Sequence, residues 1–197
     1  MGAPAPVDGQ VLTLEEFGRL ADGADGGRIE LVRGVLVRER DLLVRERGPG
    51  QLHGRLQSRI AHHLETYYDE HHRRGAVIVN AGFMLNEHPP TVRIPHVAYV
   101  SEERIPPARY GERWWRISPD LIVEVTSPSN TWTEIQARVS DYLASGTRIV
   151  WVVDPATRTA TVYRPEQAAA RLLEHDELSG EDVLPDLRLP LADLFQL

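Results

Sequence analysis

The chain of 197 residues carries 29 acidic and 22 basic side chains, a formal net charge of -7, and contains neither lysine nor cysteine. Every basic residue is therefore arginine, which excludes Schiff-base catalysis, pyridoxal-phosphate anchoring and a P-loop lysine, while the missing thiols exclude disulfides, thiolate nucleophiles and cysteine metal sites. With 42% hydrophobic and 26% charged residues and no apolar run long enough to span a bilayer, it reads as one globular domain whose acidic balance disfavours binding nucleic acid by bulk charge, though a local arginine patch could do so.

Residues 1–11 are small residues and proline with no basic stretch leading into an apolar one, so a short disordered lead-in to a cytoplasmic protein is expected, with residues 12–197 as a single domain. From Leu12 the spacing of Leu14, Phe17, Leu20 and Ala21 predicts an amphipathic helix, opened by a Thr13/Glu16 capping box and stopped by Gly23 to Gly27. Arg28 to Val32 and Gly34 to Arg38 read as a hairpin turning at Arg33-Gly34, with Glu30 set among apolar neighbours. Gly48-Pro49-Gly50 breaks the chain before a long helix, Gln51 to about Arg73, whose buried stripe runs through Leu52, Leu56, Ile60, Leu64, Tyr67 and Tyr68. Its histidines lack a zinc-ligand spacing. His62, His63, His71 and His72 read as helix surface, and His53 as either a hydrogen-bonded histidine closing the loop onto the helix or a group at the edge of a cleft.

Extended segments follow over Ala76 to Leu85 and Val92 to Val100, an antiparallel pair across the turn Asn86 to Pro90. Asp120 to Thr126 is a further strand, then Ser127-Pro128-Ser129-Asn130 leads into a helix from Thr131 to Ser145 with a Thr131/Glu134 capping box and a stop at Gly146. Arg148 to Asp154 and Thr159 to Tyr163 read as paired strands, and the tail as a short strand at Leu187 to Leu189 and a helical turn at Leu191 to Phe195. The fold class is mixed α/β, a central mixed sheet flanked by helices, preceded by a helix and a β-hairpin.

The chemistry concentrates around Glu124. Leu121-Ile122-Val123-Glu124-Val125 describes a strand covered on both faces, where a carboxylate must be paired or hold a metal. His96 follows Pro95, which marks an edge or bulge that re-aims the next side chain. Arg138 precedes Tyr142 by one turn, within reach of Glu124 or an anion; read alone it would be a helix charge paired with Glu134. Arg104, Arg109, Arg113 and Arg116, interleaved with Tyr110, Trp114 and Trp115, form either a contact surface for single-stranded or distorted nucleic acid or a lid packing its tryptophans on the core or on a dimer partner.

The order Ile29-Glu30-Leu31 through Gly34, His53 opening a long helix, Arg93-Ile94-Pro95-His96-Val97, Glu124-Val125-Thr126-Ser127-Pro128-Ser129, Arg138 to Tyr142 and Trp151-Val152-Val153-Asp154-Pro155 resembles the Uma2 family of putative restriction endonucleases, from Thr13 to Phe195. The resemblance implies a restriction-endonuclease-like core of the PD-(D/E)XK nuclease superfamily. It also implies a divalent metal, magnesium or manganese, that orients water for attack on a DNA phosphodiester. Carried over by position, His96 stands where the family has a metal-binding aspartate, Glu124 where it has its glutamate and Arg138 where it has a lysine; Glu30 and His53 match residues the family usually carries there. Histidine is a poor magnesium ligand though it suits manganese or zinc, and arginine keeps the charge but not the titratable proton of lysine.

Two readings follow. One is a metal-dependent DNA endonuclease with Glu124 and His96 as ligands, Arg138 on phosphate and Glu30 assisting. The other is a catalytically inactive nuclease-fold module that binds nucleic acid or protein. In both, the expected assembly is a homodimer and the expected contacts include His53, Arg113, Trp114 and Arg116.

Overall fold

The computed structural model describes residues 7–23, 28–38, 51–71, 75–107 and 113–196. Helix α1 (Leu14–Gly23) begins at the predicted capping box: the Thr13 amide donates to the Glu16 carboxylate at 2.8 Å and the Glu16 amide to Thr13 Oγ1 at 3.2 Å. Strands β1 (Ile29–Val32) and β2 (Val35–Arg38) form the hairpin, turning through Arg33 and Gly34 at φ 52° and 79°. Two positive-φ residues give the turn whose twist matches that of the strands. Residues 7–12, expected mostly as disordered lead-in, instead line the β2 edge: Val11 bridges Val35, and the Gly9 and Leu12 amides donate to the Leu36 and Gly34 carbonyls at 2.9 and 2.8 Å. An otherwise bare strand edge offers those bonds.

Helix α2 (Gln51–Glu70) buries Leu56, Ile60, Leu64 and Tyr67 as its periodicity predicts; the expected break at Gly48 to Gly50 and the expected end at about Arg73 lie outside the described residues. The two long strands expected next each divide. β3 (Gly75–Val79) and β4 (Gly82–Glu87) break at Asn80, φ 52°, and β5 (Pro90–Arg93) and β6 (Val97–Ser101) break at Ile94 to His96. Asparagine tolerates the left-handed conformation and Pro95 has no amide for a ladder. The Asn80 amide donates to the His96 carbonyl at 3.2 Å, so the kinks sit side by side. One antiparallel ribbon thereby contributes β4 and β5 to one sheet and β3 and β6 to another.

A 3-10 turn (Glu102–Arg104), the short β7 (Trp114–Trp115) and β8 (Leu121–Val125) follow, then α3 (Trp132–Ala144), β9 (Ile149–Asp154) and β10 (Thr159–Tyr163). The tail adds β11 (Ala170–Leu172), β12 (Glu177–Ser179), β13 (Arg188–Pro190) and α4 (Leu191–Phe195). The first sheet has the order β2-β1-β5-β4-β7, the second β11-β10-β9-β8-β6-β3, and β12 pairs with β13. β7, β11 and β12 are two or three residues long and carry no period for a sequence to display.

The second sheet is mixed, with β8 parallel to β9 and antiparallel to β6. Leu121, Val123 and Val125 pack toward α2 and α4, in one core with Trp151 and Phe195, whereas Ile122, Val150 and Val152 pack with Ile135, Val139 and Tyr142 of α3. Strand alternation places Glu124 on the α3 side. The first sheet packs Ile29, Leu31, Leu36 and Val92 against Phe17 of α1, which turns Glu30 the other way, toward α3. No helix among the described residues is long and apolar enough to cross a membrane.

The hairpin turn that carries Glu30 into place can be tested at Gly34. A methyl group there meets nothing closer than 3.7 Å, so substitution costs only the left-handed backbone. Gly34→Ala is expected to lower stability by about 1–2 kcal/mol in urea unfolding, with the fold retained.

Candidate functional site

Four of the residues singled out in the sequence converge between the two sheets and α3. Arg138 Nη1 donates to Glu30 Oε1 at 2.8 Å and to Glu124 Oε1 at 3.3 Å, joining the first sheet to the second. His96 Nδ1 lies against Glu124 Oε2. Glu30 and Glu124 are each 1% exposed, and His96 and Arg138 are also buried. The solvated pairing of Arg138 with Glu134 is thus not its role.

The network reaches further than the sequence indicates. Leu31 pairs with Val92 across antiparallel strands, which sets Glu30 opposite Arg93; Arg93 Nη1 donates to Glu30 Oε2 at 2.7 Å, and its Nε and Nη2 both reach Asp141 Oδ2 at 3.1 and 2.6 Å. The Ile94 amide donates to Glu30 Oε1 at 2.8 Å, and the Tyr142 hydroxyl to Glu124 Oε1 at 2.6 Å. The apolar face of α3 hides Tyr142 among core residues, although its four-residue spacing from Arg138 is the signal that both share one face. Arg93 opposite Glu30 is legible only once the strand pairing is known.

Burial alone would raise the Glu30 carboxyl, but Arg138, Arg93, Arg28 and the Ile94 amide outweigh it and hold it below its ordinary 4.5. Burial opposes ionisation of Glu124 as well, and His96 and Arg138, with a further contribution from Arg28, hold it far below that value. The same burial, with the Glu124 charge, pushes the Tyr142 phenol well up and keeps it a neutral donor. His96 Nδ1 also lies 3.2 Å from the Val125 amide. One nitrogen can accept from that amide or donate to Glu124 but not both, so the Glu124 contact is attractive only with a proton on Nδ1.

His53 is buried at the start of α2 and meets the His96 ring edge-on, 4.6 Å between centroids. Behind it, Gln57 Nε2 lies 2.6 Å from His53 Nε2 while its Oε1 accepts from Asn80 Nδ2 at 3.1 Å, which ties α2 to the kink beside His96. The loop arginines go elsewhere. Arg113 stacks over Trp114 at 5.5 Å, Trp114 packs on Phe17 of α1, Arg116 pairs with Glu87 at 2.5 Å and Arg104 with Asp120 at 2.5 Å. Trp115 is buried against Phe83. The described part of this loop is therefore packed on the body of the protein, as the lid alternative expects, and does not join Glu124; Arg109 and Tyr110 lie outside the described residues.

Among the described residues, no three carboxylate or imidazole groups converge as a metal cage would require. Glu124 Oε1 is engaged by Arg138 and Tyr142, whereas the buried Oε2 lies against His96 Nδ1 and has no hydrogen-bond partner among the described residues.

The chain matches the Uma2 family, described as putative restriction endonucleases, over residues 14–192. Its fold matches the crystal structure of a putative nuclease of the DUF820 group from Anabaena variabilis with a TM-score of 0.79 and 22% identity, covering 93% of this chain and 97% of that one. No curated protein matches the chain.

The charge network sets a pH dependence. Because Glu30 and Glu124 titrate below 4.5, their stabilisation is complete above that pH and is lost as pH falls toward the folded-state values. Glu30→Gln, which leaves Arg93 and Arg138 without their shared carboxylate, is expected to cost about 3–5 kcal/mol at neutral pH. Urea unfolding should show that deficit shrinking as pH falls below 4.5 toward the lowered folded-state value of Glu30, where the wild-type carboxyl also loses its charge.

Proposed function

The chain belongs to the Uma2 family of putative restriction endonucleases, and from that premise we propose that it binds nucleic acid on a nuclease fold without cutting it. The observation that carries the second half of this reading is Arg138, whose Nη1 stands 2.8 Å from Glu30 and 3.3 Å from Glu124. A guanidinium is held where a divalent ion would have to approach both carboxylates.

The donor set does not fit the magnesium that the family resemblance implies. Magnesium requires several hard oxygens in octahedral array and keeps its waters; here both Glu30 oxygens and Glu124 Oε1 are tied to guanidinium groups, which leaves Glu124 Oε2 alone, and the third family position is an imidazole. Charge argues the same way. The carboxylates of Glu30, Glu124 and Asp141 face the guanidinium groups of Arg28, Arg93 and Arg138 and the His96 imidazole, so a further dication would leave excess positive charge in a buried site. The residues therefore act on one another. Arg138 and Arg93 clamp Glu30, Tyr142 and His96 fix the Glu124 carboxylate, and the two sheets are locked against α3.

Family membership supports the nucleic-acid half of the proposal, with DNA as the partner the family description points to. The experiment combines plasmid nicking and single-strand cleavage in magnesium, manganese and zinc with DNA binding by fluorescence anisotropy in chelator. The wild type is expected to bind DNA in chelator and to give no cleavage that Glu124→Gln removes. The double variant His96→Asp/Arg138→Lys, which restores the family's residue types, is expected to gain magnesium-dependent nicking. Metal-dependent cleavage by the wild type that disappears in Glu124→Gln would overturn the proposal in favour of an active endonuclease. Sedimentation of the same samples reads whether the expected homodimer forms.

A further inference from the structure

We propose that the cleft beyond the C-terminal ends of β8 and β9 is a binding site for a nucleotide unit, either a free mononucleotide or an unstacked residue of a single strand. The inference rests on the nucleic-acid reading above and goes beyond it by assigning a place and a ligand class. The cleft encloses 710 Å³, within the range of about 300–1,000 Å³ typical of small-molecule sites. It lies apart from the buried carboxylates and joins them through His53, which lines the cleft and whose ring meets His96.

The floor is hydrocarbon, from Leu52, Ile135 and Val152. At the rim Trp132, in the first turn of α3, is 67% exposed. An indole left in water beside an apolar floor is a stacking platform, and its π-face accepts any base. Apart from the carboxylate of Asp154, the polar groups open to a ligand can all donate. Arg171 of β11 makes no ion pair with any described residue and stands exposed at the cleft. Asn130 uses its carboxamide oxygen to accept from the Ser127 amide and hydroxyl, at 2.9 and 3.2 Å, which leaves its Nδ2 as a donor. The Thr161 hydroxyl lines the same wall.

The one carboxylate present, Asp154, is already committed. It accepts from the Ala156 amide at 2.9 Å and from the Thr157 and Thr126 hydroxyls at 2.7 and 3.3 Å. What remains for a ligand is one cation, an amide donor, a hydroxyl, an exposed indole and an apolar floor. A planar ring carrying a phosphate answers all of them, whereas a purely apolar ligand would gain nothing from Arg171 or Asn130.

The test titrates the full chain with a nucleoside monophosphate and, separately, with a single-stranded oligonucleotide, following tryptophan fluorescence and anisotropy in wild type, Trp132→Ala and Arg171→Ala. Both side chains are at the surface, and circular dichroism confirms that the variants fold. Both probes are expected to bind the wild type, with the monophosphate quenching its fluorescence. Trp132→Ala is expected to weaken both by at least about fivefold, the low end for loss of one stacked base. Arg171→Ala should weaken the monophosphate more than the unphosphorylated nucleoside. If the oligonucleotide binds wild type and both variants equally, the cleft assignment is overturned while the nucleic-acid reading survives. If the monophosphate binds in a Trp132-dependent manner but the oligonucleotide does not, the cleft assignment stands and the broader reading fails. Binding of neither probe overturns both.

Discussion

A single buried guanidinium governs the centre of this molecule. Arg138 projects from α3 into the seam between two sheets and touches a carboxylate from each, Glu30 from β1 and Glu124 from β8. Taking such charges out of water is unfavourable by several kcal/mol per ion, and the arrangement persists only where each has a partner of opposite sign and its remaining hydrogen-bonding capacity is met. That condition accounts for most of the ring of groups around it: Arg93 and the Ile94 amide on Glu30, the Tyr142 hydroxyl on Glu124 Oε1, and Asp141 behind Arg93, with Glu124 Oε2 alone lacking a hydrogen-bond partner beside His96.

The kinked ribbon is what makes this ring possible. Arg93 closes β5 in the first sheet and Val97 opens β6 in the second, so Pro95 and its neighbours carry the chain across the seam and deliver His96 to Glu124. The matching break at Asn80 lets the partner strand follow, and Gln57 and His53 brace it from α2. The frame is that of a nuclease fold, and within it the central carboxylates of Glu30 and Glu124 are paired with guanidinium groups. A fold can keep its frame while its chemistry changes, because the frame depends on apolar packing such as Trp151 and Leu121, while the chemistry depends on three or four polar side chains.

Much of this was legible in the sequence. The capping boxes at Thr13 and Thr131, the hairpin at Arg33-Gly34 and the doubly covered strand around Glu124 are local patterns, and local patterns survive folding. The isolation of Glu30 and Glu124 among aliphatics already required partners, and Arg138 one turn before Tyr142 supplied one. Less legible was everything that depends on which strand lies beside which. Glu30 meets Arg93 because Leu31 pairs with Val92, and the division of two apparent strands into four follows from a tertiary crossing that an alternation pattern cannot record. The arginine- and tryptophan-rich loop misleads for a related reason: its composition suits nucleic acid, yet Arg104 and Arg116 have acidic partners on neighbouring segments and Trp115 is core.

The absence of lysine from the whole chain acquires a specific consequence at Arg138, where a group that keeps its proton at any ordinary pH is fixed between two carboxylates. Titration of the wild-type protein with manganese, followed by electron paramagnetic resonance of the free ion, tests that claim most directly. The account predicts no stoichiometric site in the wild type. One manganese bound per chain and lost in Glu124→Gln would contradict it.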